Sequence, residues 1–212
     1  MRAEAITLAT GTVISYTVVL PPDYGNTQPY PVLLALPPGS QTASMVAAGL
    51  DSYWQAGALA NGWVVVSPIA PAGELFFQGA ERYLPDFLAA IAQRYPPEGG
   101  KVHLAGISNG GLSAFRLAGT HPDLFHSLLV LPGYPPTPED EANLAKLITI
   151  PVAMYVGAND SSWLRPMRET AATLNNQGGA ATLEIVSGEG HFIRSLIGGE
   201  ALFARLESFR QP

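Results

Sequence analysis

The sequence predicts an α/β fold in which helices cover both faces of a mostly parallel sheet of about eight strands. Short runs rich in β-branched and apolar residues alternate with longer helical segments along the chain, a pattern typical of βαβ units. Two of these runs, PVLLAL at 31–36 and WVVVS at 63–67, are almost entirely apolar, as expected for strands that are buried on both faces.

The elements follow from periodicity and from the residues that interrupt it. The first two strands are predicted over Ile6–Leu8 and Val13–Leu20, as an antiparallel pair followed by a PPDYG turn at 21–25. Further strands are predicted over Pro31–Leu36, Trp63–Ser67, Val102–Ala105, Ser127–Leu131, Pro151–Val156 and Ala181–Val186. Helices are predicted over residues 44–60, 80–94, 109–119, 163–176 and 198–210, with stop signals at Asn61-Gly62, Pro96-Pro97 and Gly178-Gly179.

The chain shows neither an internal repeat nor a linker, and its 212 residues suffice for one substantial core. Residues 1–212 are therefore expected to form a single α/β domain. Ligands of such sheets bind outside the carboxyl ends of the strands. The loops that follow the predicted strands, and that should gather at this edge, are 37–43, 68–79, 106–111, 132–138, 157–162 and 188–192.

Composition and charge exclude several function classes. The net charge is −6, and the 11 basic residues form no run, so a nucleic-acid partner is not expected. The chain has no cysteine, which excludes disulfides and a cysteine nucleophile. The sequence contains no Asp/His cluster with metal-ligand spacing and no glycine-rich phosphate loop, so neither a metal nor a cofactor is expected.

The hydropathy pattern predicts a soluble protein without a membrane span. The first residues, MRAEAITLATG, lack the apolar segment of a signal peptide, and no apolar run approaches the roughly 18–20 residues of a membrane span. A cytoplasmic location is therefore expected. Only 13% of the residues are charged. Either neutral polar residues provide solubility, or part of the surface suits a greasy substrate or a second copy in a homo-oligomer.

The stretch KVHLAGISNGGLSAFRLA at 101–118 places a Gly-X-Ser-X-Gly motif between a predicted strand and a predicted helix. The motif alone is a weak signal, but this position is that of a nucleophile elbow, where small neighbours leave room for a strained serine. The helix N-terminus also favours a developing negative charge. The alternative is a flexible turn without chemistry. Ser108 is thus the candidate nucleophile.

A serine hydroxyl needs a base, and His191 is the best candidate among the four histidines. It lies in SGEGH, on a glycine-flanked loop after the last predicted strand. His103 lies inside a strand, His121 lies near a helix end, and His126 lies at the opposite edge of the sheet. The alternative for His191 is a solvated loop histidine.

Asp160 is the candidate acid that orients the histidine, because it directly follows a predicted strand in GANDSSW. Its alternative role is to cap the next helix, although Ser161 or Ser162 could do the same. Glu189 is the second candidate acid, but it lies only two residues from His191 and must fold back to reach it.

An oxyanion formed at Ser108 needs two preorganised N–H donors. One is expected from the backbone of Asn109, directly after the nucleophile. The other is expected from the LPPGSQT loop, where the prolines have no N–H, so that Gly39 or Ser40 must donate. Gly39 is favoured because glycine lets the backbone approach a ligand closely.

The chain resembles small esterases of the α/β-hydrolase fold, namely the polyhydroxybutyrate depolymerase-like, feruloyl esterase-like and phospholipase/carboxylesterase groups. The matching segments are GISNGG at 106–111, HPDLF at 121–125, GAND at 157–160 and GEGH at 188–191, and the resemblance extends from about Tyr16 to Phe209. It implies hydrolysis of small to medium acyl esters through an acyl-enzyme, with Ser108 as nucleophile, His191 as base and Asp160 as orienting acid. The chain order of these three residues is also that of the α/β-hydrolase fold.

Four aromatic residues on the loops at this edge are candidates for a substrate pocket: Phe76, Phe77, Trp163 and Phe192. The alternative is that each packs under its own loop. The stretch between Leu131 and Pro151 is too short for a large lid domain, so an open site is expected.

Three other functions remain open at the level of sequence. A serine peptidase or an acyltransferase of the same fold would use the same residues. The third, a catalytically inert binding module, has no need to keep a serine, an acid and a histidine in this order.

Overall fold

The computed structural model describes residues 1–25 and 29–210. Residues 26–28 and the last two residues of the predicted domain lie outside this description. Within the described ranges, eight strands form one sheet: β1 Arg2–Thr7, β2 Val13–Val19, β3 Val32–Leu36, β4 Val64–Pro68, β5 Val102–Gly106, β6 Phe125–Val130, β7 Val152–Gly157 and β8 Ala181–Val186. Their order is β1-β2-β4-β3-β5-β6-β7-β8.

Strand β2 is antiparallel to β1 and β4, whereas the six strands from β3 to β8 are all parallel to one another. The predicted α/β class is therefore confirmed. The prediction for the first strand is wrong, because β1 pairs with β2 from Arg2 opposite Val18 to Thr7 opposite Val13. It is an edge strand with charged and exposed residues in its first half. The apolar pattern therefore predicted only its last residues.

The helices are α1 Ala43–Gly49, α2 Gln55–Asn61, α3 Leu84–Arg94, α4 Asn109–Thr120, α5 Pro138–Ala142, α6 Ser161–Asn176 and α7 Glu200–Ser208. The predicted helix over 44–60 is thus interrupted, because a π-helical turn at Leu50–Trp54 joins α1 to α2. The last helix starts later than predicted, since Gly199 at its N-terminus has a positive φ of 77°. No large lid covers the carboxyl ends of the strands in the described ranges.

The core lies on both faces of the sheet, as the apolar strands require. Along β3, Leu34 and Leu36 belong to the layer that contains α3, α4 and α6, whereas Leu33 and Ala35 belong to the layer that contains α1, α2 and α7. In the part of the chain that the structure describes, no helix is long and apolar enough to cross a membrane. The loops after β3, β5, β7 and β8 meet at one edge.

Candidate active site

Ser108 lies in a sharp turn between β5 and α4, with φ 55° and ψ −117°. This backbone conformation is strained for a residue with a side chain. Its N–H donates to the carbonyl of Pro132 at 3.0 Å. Only glycine fits at two positions of this turn: a Cβ at Gly106 would collide with the carbonyl of Gly110, and one at Gly110 would collide with the carbonyl of Leu36. The two glycines of the motif therefore leave the space that the turn at Ser108 requires.

The structure brings Ser108, His191 and Asp160 into one hydrogen-bonded chain. The distance from Ser108 Oγ to His191 Nε2 is 2.9 Å, and that from His191 Nδ1 to Asp160 Oδ2 is 2.7 Å. A carboxylate can only accept, so Nδ1 of the imidazole carries the proton. The Nε2 lone pair then faces the serine hydroxyl, which is the arrangement that a general base needs.

The three groups differ in their exposure to solvent. The Asp160 side chain is only 8% exposed, whereas that of His191 is 45% exposed. The indole of Trp163 lies against the His191 ring, with 5.1 Å between the ring centroids. A buried carboxylate interacts more strongly with its partner than an exposed one, so Asp160 can stabilise a positive charge that forms on His191.

The second candidate acid, Glu189, points elsewhere. Its carboxylate accepts hydrogen bonds from the backbone N–H groups of Arg194 at 3.0 Å and Ser195 at 3.1 Å. These bonds, the first above all, hold the pKa of Glu189 below its ordinary value. The side chain of Asp160 makes no capping bond to the backbone of α6, so its alternative role as a cap is not what the geometry shows.

Two other histidines lie together near the amino ends of the strands. The rings of His103 and His126 are 5.3 Å apart. His103 is 2% exposed and its Nδ1 is 2.7 Å from Ser127 Oγ, and burial lowers its pKa to about 3. His126 Nε2 is 3.1 Å from the carbonyl oxygen of Glu98. Both are therefore structural residues of the opposite edge.

The predicted oxyanion donors lie beside Ser108. Asn109 is the first residue of α4, so its N–H has no intrahelical acceptor. Its side-chain amide donates to the carbonyl of Gly39 at 2.9 Å, which connects the two candidate donor residues directly. Gly39 lines the pocket next to Ser108, whereas Ser40 is exposed. Of the two alternatives, Gly39 is thus the residue that lies at the pocket.

A pocket of about 350 Å³ opens next to Ser108 and His191. One wall consists of Met45, Ala48 and Ser52, which lie on one face of α1 and the π-helical turn. Ile107 and Phe192 contribute further apolar surface. Such a mainly apolar concavity with a few convergent polar groups is typical of a small-molecule site.

The four predicted pocket aromatics have different outcomes. Phe192 lines the pocket, is 51% exposed and packs against Tyr53 with 5.5 Å between the ring centroids. Trp163 covers the His191 ring from outside this pocket. Phe76 is a wrong prediction, because it is fully buried in the core. Phe77 is half-buried, and its carbonyl accepts from Arg116 outside the pocket.

Sequence reasoning missed the wall formed by α1. The spacing of Met45, Ala48 and Ser52 by three and four residues places them on one helix face. That spacing was a usable signal, but nothing in the sequence showed that this face turns toward Ser108. In residues 1–25 and 29–210, no group of three or more His, Cys, Asp or Glu side chains could hold a metal ion.

Comparisons with known proteins show the family and the fold of this chain. A family model described as "Putative esterase" matches residues 8–191. A search of curated proteins finds no significant match. Among solved structures, a ferulic acid esterase superposes with a TM-score of 0.72 at 18% identity, covering 98% of this chain and 96% of its own. The S-formylglutathione hydrolase from Agrobacterium tumefaciens superposes with a TM-score of 0.75 at 17% identity, covering 98% of this chain and 93% of its own.

A third structure, Est1E from Butyrivibrio proteoclasticus, superposes with a TM-score of 0.69 at 17% identity over 100% of both chains. At these identities the likeness shows the fold alone. It confirms the predicted α/β-hydrolase fold, with matches that span nearly the whole length of the compared chains.

Proposed function

Because this chain belongs to the esterase family and is a carboxylic ester hydrolase, we propose that it cleaves esters through an acyl-enzyme formed on Ser108. The observation that carries the proposal is the hydrogen-bonded chain from Ser108 Oγ through the His191 ring to Asp160 Oδ2. A serine, a histidine and a buried carboxylate in this order can deliver a nucleophile at neutral pH.

Acylation begins when Ser108 Oγ bonds to the ester carbonyl carbon while its proton passes to His191 Nε2. The electron pair of the C=O π bond moves to the oxygen, and the N–H groups of Gly39 and Asn109 stabilise this oxyanion. When the intermediate collapses, the bond to the alcohol oxygen breaks and His191 returns the proton to that oxygen. The alcohol leaves and the acyl group remains on Ser108.

Deacylation repeats the same steps with water. His191 Nε2 takes a proton from the water, whose oxygen attacks the acyl carbon, and then returns it to Ser108 Oγ as the acid is released. Asp160 accepts from Nδ1–H throughout, which keeps the imidazole in the productive tautomer and stabilises the imidazolium.

The substrates we propose are esters with a small to medium apolar group on one side of the ester bond. The pocket beside Ser108 has about 350 Å³ of space, and Met45, Ala48 and Ile107 give its wall an apolar character. Burial of apolar substrate surface against these side chains supplies binding energy of roughly 25 cal/mol per Å².

Covalent labelling tests this proposal. A fluorophosphonate should add one adduct to the wild-type protein, with loss of fluoride, and none to Ser108→Ala. The variant should stay folded and should lose nearly all turnover of p-nitrophenyl butyrate. Substantial remaining turnover, or a label on another residue of the wild type, would remove Ser108 from this role.

A further inference from the structure

Gln41 is a fully buried polar residue in the loop that carries Gly39. Its backbone has a positive φ of 53°, a conformation that costs free energy in a residue with a side chain. A buried amide must also find partners, since an unsatisfied one is costly. A strained and buried polar residue needs neighbouring groups that stabilise this conformation. Its contacts therefore indicate what the residue does.

The side chain of Gln41 makes three hydrogen bonds. Its Nε2 donates to the carbonyl of Pro37 at 3.2 Å and to Ser113 Oγ at 3.0 Å, and its Oε1 accepts from the N–H of Phe76 at 2.7 Å. The orientation of the amide is determined by its partners, because a backbone N–H can only donate and a carbonyl can only accept.

These bonds bracket both proposed oxyanion donors. On one side, Gln41 Nε2 holds the carbonyl of Pro37, two residues before Gly39. On the other side, Ser113 Oγ accepts from Gln41 and donates to the carbonyl of Asn109 at 2.8 Å. One side-chain amide therefore ties the oxyanion loop to the first turn of α4.

The loop depends on this amide because it has few donors of its own. Pro37 and Pro38 lack an N–H, so the turn is closed by Gln41, whose own N–H donates to the carbonyl of Pro38 at 3.1 Å. The carbonyl of Gln41 in turn accepts from the N–H of Ala70 at 3.0 Å. The loop after β4 is thereby connected to the same support.

We propose that Gln41 is a positioning residue that, with Ser113, fixes the N–H groups of Gly39 and Asn109 as a preorganised oxyanion hole. This inference rests on the proposed function. An oxyanion hole stabilises the transition state more than the bound ester. Loss of its support therefore lowers kcat and the affinity for a tetrahedral adduct, while KM changes little.

Two variants and one matched control test the inference. Gln41→Met removes the amide at similar volume, and Ser113→Ala removes the link to Asn109. Ser127→Ala is the control, because Ser127 is equally buried but bonds to His103 at the other edge of the sheet. For each, kcat, KM, the pH dependence of kcat/KM and the Ki of an aryl trifluoromethyl ketone are measured with p-nitrophenyl butyrate as substrate.

We expect Gln41→Met to lower kcat about 10–100-fold and Ser113→Ala about 3–10-fold, below the loss for deleting a donor outright. Ki should rise by similar factors, KM should stay within about threefold, and the pH midpoint of kcat/KM should not move, since His191 and Asp160 keep their contacts. Ser127→Ala should match the wild type in kcat and Ki.

Unchanged kcat and Ki in Gln41→Met would overturn the inference. A change in KM alone, or a shift of the pH midpoint of kcat/KM, would also overturn it. If Gln41→Met does not fold, Ser113→Ala decides alone, and kinetics equal to those of Ser127→Ala would overturn it. Fluorophosphonate labelling of the wild type on Ser108 separates the two levels. If Ser108 is labelled and the variants show one of these contradicting results, only the inference fails. If Ser108 is not labelled, the proposed function fails and the inference fails with it.

Discussion

Asp160 and Glu189 are both carboxylates on loops at the same edge of the sheet, yet their neighbours give them different roles. Asp160 is buried against His191, with 2.7 Å between Oδ2 and Nδ1, whereas Glu189 closes the turn that follows His191 through two backbone N–H groups. One carboxylate is thus positioned to orient the imidazole, and the other to shape the loop that carries it.

We predict that Asp160→Asn lowers kcat on the order of 10⁴-fold, because an amide at this position can hold the imidazole in the wrong tautomer. The matched variant Glu189→Gln should change kcat by less than about tenfold, since an amide oxygen can still accept from the same N–H groups. Steady-state kinetics of p-nitrophenyl butyrate with both variants check this. A larger loss in Glu189→Gln than in Asp160→Asn would reverse the two assignments.

At the scale of elements, α1 and the π-helical turn at Leu50–Trp54 connect the pocket to the histidine loop. The turn presents Tyr53, whose hydroxyl donates to the carbonyl of Ile193 at 3.3 Å, and burial raises the pKa of Tyr53 to about 12. The carbonyl of Ser52 accepts from the N–H of Gly198 at 2.8 Å. The segment formed by α1 and this turn therefore both lines the pocket and contacts the loop that follows His191.

This arrangement predicts that a larger side chain on α1 changes the preference for the length of the acyl chain of the ester. Ala48→Phe would fill part of the pocket. We expect kcat/KM for p-nitrophenyl octanoate to fall at least about tenfold relative to kcat/KM for p-nitrophenyl acetate. This factor corresponds to a loss of roughly 1.4 kcal/mol in binding of the transition state. Ala47→Phe is the matched control on the neighbouring exposed position, and it should leave the ratio unchanged. An equal effect of both variants would exclude this wall from substrate binding.

At the scale of the whole molecule, two apolar layers enclose the sheet, and α7 completes one of them from the far end of the chain. Phe203 on α7 is fully buried and packs edge-on against Trp63, with 5.6 Å between the ring centroids. Gly57 on α2 leaves the space for this ring, since a Cβ there would collide with it. The layer beneath the pocket wall therefore depends on a contact between distant segments.

We predict that Phe203→Ala lowers the free energy of unfolding by about 3–5 kcal/mol, because it leaves a cavity in a packed layer. Phe192→Ala is the matched control: its side chain is 51% exposed, so the loss should stay below about 1 kcal/mol. Urea unfolding followed by tryptophan fluorescence measures both. Equal losses would mean that α7 does not support the layer.

The sequence by itself determined the class of fold and the candidates for the proposed triad, namely Ser108, His191 and, as the acid, Asp160 ahead of Glu189. Apolar runs such as VLLAL in β3 are local signals, because burial on both faces of a strand needs an apolar residue at every position. The glycines around Ser108 are local too, since the strain of a tight turn excludes larger residues there. Ser108, Asp160 and His191 could then be identified because each lies on a loop that follows a predicted strand.

Only the tertiary structure decided which side chains face one another. Asp160 rather than Glu189 meets His191, Phe76 enters the core while Phe192 lines the pocket, and Gln41 supports the oxyanion loop through Ser113, 72 residues away. The reason is physical: these outcomes depend on contacts between segments that are remote in sequence. The side chain of a loop residue takes its direction from the packing around it and not from local periodicity.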